Sequence, residues 1–197
     1  MTNNLNSHPK PPENFNELSL PLAYLDSIAY RLNSVNYTSA IHYDHSGKGR
    51  FENSNVGVLY LGETVEAAFI ETFGRRLGVK YISREFIQSR NLYSIHSDRP
   101  LKLVDLFGAG LVKLGADSEI SSGRNYRLSR SWSEAIYYHP QQVDGIRYLS
   151  RHDNTQLCWG LFPRLDYQLE EKNLGSLIDY DEQKFLEILD RYEFGSD

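Results

Sequence analysis

The stretch GVLYLGETVEAAFIETFG, residues 57–74, joins a short apolar run to a helical pattern and sets the class of fold. VGVLYLG, 56–62, is rich in β-formers and punctuated by glycine, as a strand is. Thr64 stands where a side-chain oxygen caps a helix running to about Phe73, and Gly74 and Gly78 end it. With short strands and few helices elsewhere, and no repeat or linker in the 197 residues, the pattern predicts one α+β domain. At about 100° per residue, Val65, Ala68, Phe69, Ile70 and Phe73 share an apolar arc that also contains Glu66. Glu71 lies at its edge, beside Ala67 and Gly74, small residues that let a ligand or another backbone approach closely. Periodicity alone favours a solvated carboxylate there, since charged side chains are mostly exposed.

Working outward, IAYRLN (28–33) reads as a strand, and 34–55 as a long polar and aromatic loop with glycines at 47 and 49. Loops of that length in compact domains are often functional. NLYSIH (91–96) and LKLVDLF (101–107) read as strands around the turn SDRP, and GAGLVKLG as a short helix. RLSRSWSEAIYYHP holds a helix capped near Ser129 and stopped by Pro140. GIRYLS (145–150) and QLCWGLF (156–162) form a hairpin across RHDNT. A last helix, 181–192, carries Phe185, Leu186, Leu189 and Tyr192 at the spacing of one buried face. Residues 1–20, rich in Asn, Pro and Glu, are expected to be a loose arm before a single domain over 21–197.

Composition narrows the function. The 40% hydrophobic and 24% charged fractions are those of an ordinary soluble protein. No apolar run approaches the roughly 20 residues that cross a bilayer, and the start MTNNLNSHPKPPENF has no secretory pattern. A lone cysteine, Cys158, excludes an internal disulfide and a cysteine-based zinc site, so a cytoplasmic location is expected. The net charge of −5 weighs against a broad nucleic-acid surface. The 14 tyrosines suit aromatic ligands, and equally the strands and half-buried surfaces that tyrosine fills.

Arg31 ends a strand, Arg50 closes the glycine-flanked GKGR, and Arg147 and Arg151 bracket Ser150. An arginine fork beside glycine-freed amides suits a pyrophosphate, although single arginines are more often surface residues. GKGR lacks the P-loop spacing, and no GxGxxG is present. SRHD (150–153) is too local for a catalytic triad, whose members converge from separated segments. HYDH (42–45) lacks a clear third metal ligand, so no metal site is expected. A two-carboxylate glycosidase stays open, because sequence spacing does not give spatial spacing.

Three motifs in order narrow the choice: AYRL with Arg31, YLGETVEAAFIE with Glu71, and DGIRYLSR with Ser150. Their succession over roughly 25–165 resembles the RES-domain family, named for an arginine, a glutamate and a serine. Arg50 in GKGRFEN and Tyr60 in VLYLG also sit where the family has an arginine and a tyrosine. Gly62 and Val65 depart from the alanine and proline frequent there. The resemblance implies a fold like that of ADP-ribosyltransferase toxins, a small mixed, mainly antiparallel sheet with flanking helices and NAD in a cleft. It implies cleavage of the nicotinamide–ribose bond, with phosphate or water as acceptor. NAD is then a substrate, inorganic phosphate a co-substrate where it is the acceptor, and no metal or separate cofactor is required. Arg31, Glu71 and Ser150 would be catalytic; Arg50, Tyr60 and Arg151 would bind substrate. The resemblance further implies a toxin silenced by a helix-turn-helix antitoxin that obstructs the site. Homo-oligomerisation stays open. The competing readings are ADP-ribosyl transfer to a protein or nucleotide, and a non-catalytic NAD-binding module.

Overall fold

Residues 8–197 are described by a computed structural model. After a 3-10 turn at Phe15–Glu17, the chain runs β1 (Leu22–Leu25), β2 (Ala29–Ser34), β3 (Leu59–Gly62), α1 (Val65–Phe73) and α2 (Arg84–Gln88). It continues through β4 (Arg90–Ser97), β5 (Leu101–Asp105), α3 (Ala109–Leu114), α4 (Glu119–Ser122) and α5 (Tyr126–Tyr137). Then come β6 (Gly145–Leu149), β7 (Leu157–Leu161), β8 (Leu169–Asn173), α6 (Leu177–Tyr180) and α7 (Glu182–Tyr192). The strands form one sheet in the order β1-β5-β6-β7-β3-β2-β4-β8. Of the neighbouring pairs only β5 and β6 are parallel. The architecture is therefore α+β with a mainly antiparallel sheet and flanking helices, as the sequence predicts.

The opening stretch folds as read. The Thr64 hydroxyl accepts from the Ala67 amide, and the helix stops at Gly74, whose N–H returns to the Ile70 carbonyl. The strand before it is shorter than expected, with Val58 held only by an isolated bridge to Asp44. At Gly62 the helix comes so close that a Cβ would lie 2.5 Å from the Ala68 amide nitrogen. This tight step drives α1 across the sheet, where Val65, Phe69 and Phe73 join Ile188 and Leu189 of α7 in a buried cluster. Glu66, out of place on an apolar arc, is accounted for by its ion pair with Lys184 of α7 at 2.5 Å.

Other elements differ from expectation. Helix α5 starts earlier, with Asn125 as its cap, while Ser129 is fully buried and donates to the Ile120 carbonyl. On α7 the buried face is Phe185, Ile188 and Leu189, leaving Leu186 exposed. Strands β1 and β8 are additions, as are α2, α4 and α6. The expected loose arm is anchored at particular side chains, while most of its described residues are exposed. Phe15 is buried edge-on against Trp132 at 5.5 Å, and the Trp132 indole N–H donates to the Pro9 carbonyl at 2.9 Å. The first seven residues of that arm lie outside the described residues.

Candidate active site

A cleft of about 620 Å³ opens over the β2–β3 face of the sheet, between the second half of α1, the loop around Arg50 and the start of α5. Arg31, Arg50, Tyr60, Glu71 and Arg151, five of the six side chains singled out from the sequence, line it. The sixth, Ser150, sits just behind the lining. Its hydroxyl donates to Glu71 Oε1 at 2.6 Å and accepts the amides of His152 and Asp153. Ser150 is only 2% exposed, so its donor is spent on Glu71 rather than offered to a ligand. The serine thus fixes the carboxylate of α1 from the turn after β6. It also explains SRHD, which is a serine-centred turn and not a triad. The small side chain that borders the cleft beside Glu71 is Ala68, where the sequence suggested Ala67.

The cleft is basic in a chain of net charge −5. Arg31, Lys48, Arg50, Arg75, Arg90 and Arg151 line it, against the carboxylates of Asp44 and Glu71. Low-dielectric walls with one sign of charge concentrate an anionic ligand. Arg50, 7% exposed, donates to the Gly123 carbonyl at 2.7 Å and stacks 4.7 Å over the Tyr126 ring. Its Nη2 is buried with no partner among the described residues, a donor whose desolvation a bound anion would relieve. Arg31 is held more lightly, donating to the His42 carbonyl at 3.3 Å. Burial lowers the pKa of both arginines, with Arg75 adding to the effect on Arg31. Arg147, bracketing Ser150 on the other side, is a structural residue. Its guanidinium pairs with Asp105 at 2.8 Å and lies over the Phe107 ring.

Tyr60 offers its ring. The hydroxyl is tied down, donating to Glu52 and accepting the Phe51 amide. Burial, and then Glu52, raise its pKa well above the ordinary phenol value, so it stays protonated.

His152 faces the same space, and its pKa is lowered, first by burial, with Arg151, Arg75 and Arg50 adding to that against the raising pull of Glu71. The folded chain therefore binds less proton than the unfolded one as pH falls below the ordinary histidine range. The contribution is complete above about pH 6.5, the unfolded value, and erodes as pH falls from there towards the folded pKa. Melting temperature followed from pH 7.5 to 5 should fall less steeply in His152→Gln than in the wild type; parallel curves would overturn the assignment.

Among the described residues, no group of three or more His, Cys, Asp or Glu side chains is placed to hold a metal ion. No helix among them is long and apolar enough to cross a membrane.

The family model described as RES domain matches residues 28–179. The chain belongs to the RES-domain family. Every motif residue named from the sequence falls within that span. A curated relative, the probable toxin y4kH of Sinorhizobium fredii (strain NBRC 101917 / NGR234), is 29% identical over 106 residues, covering 54% of this chain and 82% of the relative. The fold is similar to a chain in the crystal structure of the M. tuberculosis MbcT–MbcA toxin–antitoxin complex. There the TM-score is 0.62 at 13% identity, over 80% of this chain and 89% of that one.

In this RES domain, sequence reasoning missed Arg75, Tyr126 and His152. Arg75 carried a signal, since it lies four residues after Glu71, just past the end of α1, and its Nε returns to the Glu71 carbonyl at 2.6 Å. His152 stood inside the SRHD quoted from the sequence, one residue after Arg151, whereas Tyr126 reaches the cleft from the start of α5 through tertiary packing that no local pattern encodes.

Proposed function

We propose that the protein destroys NAD by breaking its nicotinamide–ribose bond, and that it is the toxin of a toxin–antitoxin pair. The observation that carries the reading is the Ser150-oriented Glu71 carboxylate in a basic, dinucleotide-sized cleft. The electron pair of the breaking C–N bond leaves on the nicotinamide nitrogen, and positive charge develops on the ribose. A fixed carboxylate stabilises that charge most where water is displaced. Glu71 takes this role and Ser150 positions it. Arg31, Arg50 and Arg151 hold the diphosphate, whose charge and forked oxygens guanidinium groups match. The Tyr60 ring stacks on nicotinamide. An oxygen of inorganic phosphate then bonds to the ribose carbon, giving ADP-ribose 1″-phosphate; water in its place gives ADP-ribose and releases a proton. Cleavage is carried by these side chains and a good leaving group, with NAD as substrate rather than cofactor.

The toxin role is supported by the relative named a probable toxin and by the fold shared with a chain of a toxin–antitoxin complex. The partner would be a helix-turn-helix protein that covers the cleft.

Mass spectrometry of NAD incubated with the purified protein, with and without inorganic phosphate, tests the reaction. The expected result is NAD loss that accelerates with phosphate and yields ADP-ribose 1″-phosphate. ADP-ribose alone would assign hydrolysis, and a macromolecule gaining ADP-ribose would assign transfer. Intact NAD under every condition, acceptor proteins included, would overturn the enzyme.

A further inference from the structure

Beneath the cleft lies a carboxylate that the reaction above does not use. Glu52 is 0% exposed, so deeply buried that an acid there must be held by donors on both oxygens. One oxygen accepts the Gly49 amide and the other accepts the Tyr60 hydroxyl. The Tyr60 oxygen in turn accepts the amide of Phe51, next to Glu52 in the chain. The Gly49 carbonyl is gripped from the other side by Arg130, at 2.8 Å from Nη2. A Cβ at position 49 would overlap the Glu52 carboxylate, so any other residue in place of Gly49 must displace the acid beneath it. The turn that presents Arg50 and the ring of Tyr60 are therefore clamped by one buried group. No arginine or lysine pairs with Glu52 among the described residues, so these hydrogen bonds alone hold its carboxyl group.

We propose that Glu52 is a positioning residue for the NAD cleft, holding the Tyr60 ring and the Gly49–Arg50 turn in one fixed relation. It touches no ligand and acts through Tyr60 and Arg50. The proposal rests on the reading of the cleft as an NAD site. A buried acid that served stability alone would lower the melting temperature without altering substrate handling at temperatures where the protein is folded.

The test is a double-mutant cycle on Glu52→Gln and Tyr60→Phe. NAD consumption and equilibrium NAD binding are read well below the melting point of each variant. The first change keeps the side chain's shape but loses its charge, and the second keeps the ring but loses the hydroxyl. Each single change should cost about tenfold or more in kcat/KM, the scale of one hydrogen bond to a charged group. The loss should fall mainly on KM, because binding groups are displaced while Glu71 stays in place. The double variant should be no worse than the worse single one. Glu52→Asp, too short to span both partners, should not rescue. A folded Glu52→Gln with unchanged KM, or additive losses in the cycle, would overturn the proposal while an active wild type preserved the reading beneath it. If Glu52→Gln fails to fold, Tyr60→Phe with unchanged KM overturns it alone. A wild-type chain that neither binds nor consumes NAD would overturn both.

Discussion

Glu71→Ala is expected to lose at least about two powers of ten in NAD turnover while keeping its fold, the scale for removing a preorganised electrostatic group from a desolvated site. The fold should survive because Glu71 is half-buried at the cleft wall and, among the described residues, its carboxylate is hydrogen-bonded to Ser150 alone. The Ser150 hydroxyl keeps its other partners, the amides of His152 and Asp153, when the carboxylate is gone. Glu71→Gln separates charge from placement. Its amide oxygen can still accept from Ser150, so a comparable loss would assign the effect to the negative charge. Ser150→Ala should lose less, since the carboxylate remains but swings freely. Melting curves recorded beside the rates distinguish lost chemistry from lost fold. A folded Glu71→Ala that turns NAD over at the wild-type rate would remove the residue from the reaction.

The largest effect on stability is expected at Trp132. Its side chain is fully buried, packs edge-on with Phe15 and holds the Pro9 carbonyl. Truncation to alanine leaves a cavity in the cluster that joins α5, the N-terminal segment and the β6 side of the sheet. Such aromatic deletions cost about 3–5 kcal/mol. For a chain of this size that is a fall of roughly 6–20 °C in Tm. Trp132→Phe keeps a ring against Phe15 and loses the indole donor, so its fall should be under half as large. Limited proteolysis should then cut residues 8–20 first in Trp132→Ala, since that change removes two of the holds on the segment, the ring against Phe15 and the hydrogen bond to Pro9. A fall below about 3 °C for alanine would show that the segment and the helix are not coupled through this side chain.

What could be read from the sequence follows the range of the interactions. The β3–α1 unit is written locally, in the cap at Thr64 and the stop at Gly74, and both hold in the structure. The β6–β7 hairpin is likewise a local pattern. Strand β8, LEEKN, was not legible because an edge strand buries little and shows no alternation. For α5 the sequence pattern places the cap near Ser129, four residues past the Asn125 that caps the helix in the structure. Asn125 won because Ser129 was committed to a contact inside the core. On α7 the choice between Leu186 and Ile188 depends on how the helix rolls against α1, which is a tertiary fact. Glu66 looked anomalous for the same reason, its partner lying on a helix more than a hundred residues on.

The candidate site divides in the same way. Arg31, Arg50, Tyr60, Glu71 and Arg151 were found through ordered motifs, and all line one cleft. The role of Ser150 was not legible, because only the folded chain shows that its hydroxyl faces Glu71 rather than the open space. Glu52 was passed over inside GKGRFEN. A glutamate in a polar loop gives no sign of complete burial until the turn has closed over it.

The Ser150–Glu71 bond joins positions 79 residues apart. During synthesis at about 5–20 residues per second, the glutamate leaves the peptidyl-transferase centre roughly 4–16 s before its serine is made. Tyr126 and Arg151, which wall the same cleft, also arrive in that interval or after it. A nascent or prematurely terminated chain thus carries Glu71 without the surroundings that orient it. The cleft is complete only when translation has passed position 151, so its geometry arises late in synthesis and as a whole.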